Sequence, residues 1–116
     1  MDEATRKFIE SELGSLNSKI GKAINQYKEL KGRLSRINKY ANWGLYELYE
    51  KELGIVRDSL MQLILIKGAL EAVLEHGEIE FIDAIRAVAE GSNDTYIKAY
   101  VNYLEYNIAI RQKGVS

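Results

Sequence analysis

Residues 9–37 read IESELGSLNSKIGKAINQYKELKGRLSRI, and this stretch decides the fold. Ile9, Leu13, Leu16, Ile20, Ala23, Tyr27, Leu30, Leu34 and Ile37 follow one another at spacings of four and three without a break. The mean spacing of about 3.5 residues is close enough to the helical 3.6 to keep one apolar seam turned toward one partner, as in coiled-coil helices. Upstream, Asp2 is placed to cap the helix, with Glu3 and Glu10 toward the positive end of its dipole. The spacing therefore predicts a first helix over about residues 2–39, too long to stand without a partner.

Downstream, Tyr40-Ala41-Asn42-Trp43-Gly44 breaks the pattern with residues suited to a reversal of the chain. The alternation then resumes through Tyr46, Tyr49, Leu53, Val56, Leu60, Leu63, Lys67, Leu70 and Leu74, with only Lys67 out of character. A second helix over about residues 45–75 is expected to fold back on the first as an antiparallel coiled coil. Leu45, Ile64, Ile66 and Val73 flank its stripe and call for a second covering layer.

Residues 78–113 supply that layer. Gly77 is a natural C-cap, and Ile79, Ile82, Ile85 and Val88 or Ala89 give a short amphipathic helix over about 78–90. Gly91 to Thr95 stops it and offers N-caps for a last helix over about 94–113, with Ile97, Val101, Leu104 and Ile108 on one stripe. The expected fold is all-α: a single helical-bundle domain over residues 1–116, whose long hairpin is covered by two shorter helices, or by one bent rod of the same residues.

Composition agrees. The chain has no proline, where average usage of about 5% would give roughly six, and so lacks the commonest interrupter of long helices. It has no cysteine, which excludes disulfides, thiolate metal sites and a cysteine nucleophile. The acidic start carries no secretory signal pattern, and the most apolar run, Leu60 to Ile66, is far shorter than the roughly 20 residues of a membrane span. A cytoplasmic location is expected.

Enzymatic chemistry finds little to stand on. His76 is the single histidine, and its acidic neighbours Glu71, Glu75, Glu78, Glu80 and Asp83 lack metal-loop spacing, so they read as solvated charge at a helix junction. No glycine-rich phosphate loop is present. The expectation is a protein without catalytic residues, cofactor or metal.

Interaction surfaces are the sharper lead. Eight tyrosines dominate the aromatics, and Tyr96, Tyr100, Tyr103 and Tyr106 crowd the last helix beyond what one seam can hide, making them candidate partner-binding residues. Residues 19–40 hold seven basic side chains against the one acid Glu29, although the whole chain carries a net charge of −1. Lys22, Lys28, Arg36 and Lys39 point away from the seam and are candidate nucleic-acid contacts. The same cations face Glu47, Glu50, Glu52 and Asp58 on the second helix and could instead fix the antiparallel pairing.

Gly14 and Gly21, like Gly54 and Gly68, lie in one heptad column, one residue past the seam. Such glycines weaken helices, and the column suits close approach of another helix, from this chain or a second copy.

Two stretches bear fragmentary resemblances. Residues 41–50 resemble the Trp-x-Gly hairpin of small secreted WXG-type proteins, but here Gly44 follows Trp43 directly. Residues 77–114 are similar in spacing to the helical tip of outer-membrane efflux channels through Gly77, Phe81-Ile82-Asp83, Ala87 and Asn102-Tyr103-Leu104, but Gly91-Ser92 interrupts the helix. Neither assigns a family. The sequence reading is a non-enzymatic module that binds another protein or itself, as an adaptor, inhibitor or structural component; the alternative is a nucleic-acid-binding accessory protein using residues 19–40.

Overall fold

The computed structural model of the chain describes residues 1–77 and 82–112. Four helices follow in order: α1 (Glu3–Ser35), α2 (Trp43–His76), α3 (Ile82–Glu90) and α4 (Thr95–Gln112). The architecture is the expected helical bundle on a long antiparallel hairpin, and α3 and α4 are two helices rather than one bent rod. Residues 78–81 and 113, at the edges of the expected third and fourth helices, lie outside the described residues. No described helix is long and apolar enough to cross a membrane.

Each end of the hairpin has a local cause. Asp2 accepts a hydrogen bond from the Thr5 N–H at 2.8 Å, which caps α1 and holds the carboxyl below its ordinary pKa. Gly77 closes α2 in the left-handed conformation (φ 69°), its N–H bonded to the Val73 carbonyl. The reversal between α1 and α2 begins earlier than its sequence suggests. Asn38 Oδ1 accepts from the N–H groups of Tyr40 and Ala41, and the Asn38 carbonyl accepts from the Asn42 N–H. A side chain that competes for backbone donors ends α1 at Ser35, and Gly44 is already inside α2.

Every seam position is at least half-buried along the full hairpin, Lys67 included, whose Nζ lies 3.7 Å from Glu71. The second layer is unequal. The rows one residue before the seam, Phe8, Glu12 and Lys19 on α1 with Ser59, Gln62, Ile66, Ala69 and Val73 on α2, carry α3 and α4. Ile85, Ile97, Val101, Leu104 and Ile108 descend from those helices into one core with Ile9, Leu16, Ile20, Leu63, Ile66, Leu70 and Val73.

That core takes nothing from residues 25–59. The molecule is therefore a four-helix head continued by a two-helix stalk, 62 Å long and 23 by 20 Å across. The loop between α3 and α4 fixes where the head ends. Buried Ser92 donates to Gln62 Oε1 at 2.8 Å, and Ser59 donates to Asp94 Oδ2 at 3.0 Å, while Asp94 Oδ1 caps α4 through the Tyr96 N–H.

Candidate interaction surfaces

The α4 tyrosines divide. Tyr100 is 7% exposed and donates its hydroxyl to Glu12 Oε2 at 2.8 Å, so it belongs to the fold. Burial and the Glu12 acceptor both raise its pKa. Tyr103 donates to the other Glu12 oxygen at 3.1 Å and meets the Phe8 ring, yet stays 47% exposed. Tyr96 and Tyr106 are 55% and 67% exposed. Lys19 Nζ sits 4.3 Å from the Tyr100 ring centre and 5.6 Å from that of Tyr96. Three of the four candidates thus form an open aromatic strip on the head, and the fourth anchors it. Glu12, which accepts both hydroxyls, carries no mark in the sequence that sets it apart from the other acids.

Lys28, Arg36 and Lys39 lie along the stalk and its turn, and Lys22 lies where the head meets the stalk. Lys22, Lys28 and Arg36 are exposed on α1 or just past its end and form no ion pair among the described residues. Lys39 lies in the turn, its Nζ 5.2 Å from the Trp43 ring centre and 5.5 Å from that of Tyr46, which stack on each other. The ion pairs of the stalk, Arg33 with Glu29 and Arg57 with Asp58, are each within one helix. Pairing between α1 cations and α2 acids, the other reading of these charges, is therefore not made by direct contact.

A third surface is plainer in the structure than in the sequence. Along the stalk, the row that α3 and α4 cover in the head continues as Leu45, Leu48 and Ile55 on α2, all about half exposed. Trp43, Met61, Ile64 and Leu65 bring the half-exposed large apolar residues of α2 to seven. Ile64 and Leu45 were expected to need covering and have none; Ile66 and Val73 are fully covered. Where head meets stalk, Ile55, Asp58, Ser59, Gln62 and the α3–α4 loop line an open cleft.

Among the described residues no group of three or more histidine or acidic side chains could hold a metal ion, and Glu78 and Glu80 of the acidic junction lie outside them. Compared with known proteins, the chain matches no family model, no curated protein and no solved structure.

Proposed function

We propose that the chain is a non-enzymatic interaction or assembly module that binds other proteins, or its own copies, through the uncovered faces of the hairpin and the open tyrosines of α4. The observation that carries this reading is the set of seven large apolar side chains left half exposed on α2. Burying one such side chain is worth roughly 1.5–3 kcal/mol, so a partner helix laid on Leu45, Leu48 and Ile55, which share one face, gains more than scattered surface leucines would provide. Leu48 and Ile55 continue the groove that α3 and α4 fill in the head, which gives an incoming helix a ready geometry.

The test is cross-linking in the source cells with the wild-type chain and a Leu48→Glu/Ile55→Glu variant. Both residues are exposed, so the variant should keep its helicity by circular dichroism while losing the cross-linked proteins that the wild type captures. An unchanged set of cross-linked proteins would reject the reading.

A second reading is supported by a separate observation: Lys22, Lys28 and Arg36 have no acidic partner among the described residues. A cationic stalk of this kind suits phosphate backbones, and its binding would weaken steeply with salt. Titration of single- and double-stranded oligonucleotides at low and physiological salt tests it, with Lys22, Lys28, Arg36 and Lys39 reversed to Glu as the control. Saturable, salt-sensitive binding lost on reversal would make this the working surface; equal binding by both forms would reject it.

A further inference from the structure

The turn that joins α1 to α2 closes the far end of the stalk, and its composition differs from that of the faces behind it. Between Arg33 and Tyr46 the chain carries three cations, Arg33, Arg36 and Lys39, and no acid, although the whole chain has a net charge of −1. Tyr40 at the apex is 96% exposed, and Trp43, the one tryptophan of the chain, is 54% exposed. Leu45 is half exposed beside them. Lys39 Nζ lies over the Trp43 and Tyr46 rings, which holds an ammonium at the level of the indole.

We infer that this end of the stalk docks on an anionic lipid surface, with Tyr40 and Trp43 entering the headgroup layer and Arg36 and Lys39 meeting lipid phosphates. This contact is separate from the protein-binding reading, which uses the sides of the hairpin. Rings with an apolar body and a polar edge prefer the boundary between hydrocarbon and water, and each cation beside an anionic membrane surface adds roughly a fivefold gain in binding. The apex also suits a medium poor in water. Asn38 alone accepts from the N–H groups of Tyr40, Ala41 and Asn42, through its side chain and its carbonyl, so three successive backbone donors reach the interface already bonded.

The acids nearest the apex are set back from it. Glu29 is bonded to Arg33, whereas Arg36 and Lys39 form no ion pair among the described residues. Glu47 follows Trp43 by four residues, about 6 Å along α2, and Glu50 is nearly a turn farther. Lys51 stands with these two acids around a shallow hollow beside Trp43. An end-on approach therefore brings the aromatic and cationic side chains to the surface ahead of the acids.

Two other kinds of partner fit this end less well. The rod is 23 by 20 Å across, so its end offers on the order of 400 Å², half of the roughly 800 Å² that each protein buries in a standard interface. A single-stranded nucleic acid needs successive open rings on which its bases stack. Trp43 and Tyr46 already stack on each other and share Lys39, which leaves Tyr40 alone at the turn with its ring free.

Because the chain has one tryptophan, the emission of Trp43 reads the contact directly. The full chain is titrated at low salt with vesicles of phosphatidylcholine containing one-quarter phosphatidylserine, and with vesicles of phosphatidylcholine alone. Emission should shift to the blue on the anionic vesicles, binding should weaken as salt rises, and phosphatidylcholine alone should bind at least about tenfold more weakly. Arg36→Glu/Lys39→Glu should weaken binding to the anionic vesicles by more than about tenfold. Tyr40→Ser/Trp43→Ser, followed by co-sedimentation, should lose binding to a similar extent. All four side chains are exposed, so helicity by circular dichroism should be unchanged in both variants. Emission unchanged on anionic vesicles, full binding by the charge-reversed variant, or full binding by the variant lacking both rings would each overturn the inference. So would emission that responds to a single-stranded oligonucleotide and not to vesicles, which would assign the tip to nucleic acid instead.

Discussion

Glu12 holds α4 to α1 by accepting two tyrosine hydroxyls on one carboxylate. Its grip depends on both tyrosines staying protonated, and that gives the fold a pH signature. Burial first, then the hydrogen bond to Glu12, raises the Tyr100 pKa above the ordinary 10; for Tyr103 the hydrogen bond comes first. In the unfolded chain both ionise at the ordinary value. Their contribution is therefore complete below about pH 10 and is lost as pH climbs beyond it, because the unfolded state sheds protons that the folded state keeps. Urea unfolding between pH 8 and about 12 should show the wild type losing stability above pH 10 more steeply than Tyr100→Phe. At neutral pH the same variant should be weaker by about 1 kcal/mol, the net worth of one hydrogen bond. A parallel alkaline decline in both proteins would mean that Tyr100 does not carry the effect.

At the scale of the element, the hairpin was legible because the 3.5-residue repeat is a local property of helices and needs no knowledge of what lies across from them. The seam positions from Ile9 to Ile37 and from Tyr46 to Leu74 are all at least half-buried. Caps at Asp2 and Gly77 were legible for the same reason. The turn was less so, because Asn38 stops the helix through its own side chain while the apolar spacing runs on to Ile37. The covering layer was read only in part. Excess apolar residues on α2 called for a cover, but its length is set by Ser92 on Gln62 and Asp94 on Ser59, contacts between residues about thirty apart that no local pattern reveals. Of the candidate surface, the tyrosine strip was visible as spacing, whereas Leu48 and Ile55 become a surface only once α3 and α4 stop short of them.

The glycines give this scale its own prediction. Gly21→Ala, where an added Cβ meets nothing, should stabilise dilute protein by about 1 kcal/mol, the difference in helix propensity. Gly77→Ala has equal space but sits at φ 69°, and should lose about 1 kcal/mol because an L side chain is strained there. Chemical denaturation of the two variants reads opposite signs, and matching signs would contradict the backbone assignment at one of them.

For the whole molecule the decisive fact is the division into head and stalk. Residues 25–59 contribute nothing to the core, and Leu30 is the one buried apolar residue among them. A two-helix seam buries little against the conformational entropy of ordering it, so the stalk should open locally long before the head does. Amide hydrogen exchange of dilute protein should therefore be graded: slowest around Leu16, Ile20, Leu63, Ile66 and Leu70, and faster from Leu30 to Leu34 and from Tyr46 to Leu53. Uniform protection would mean that the hairpin unfolds as one unit with the head.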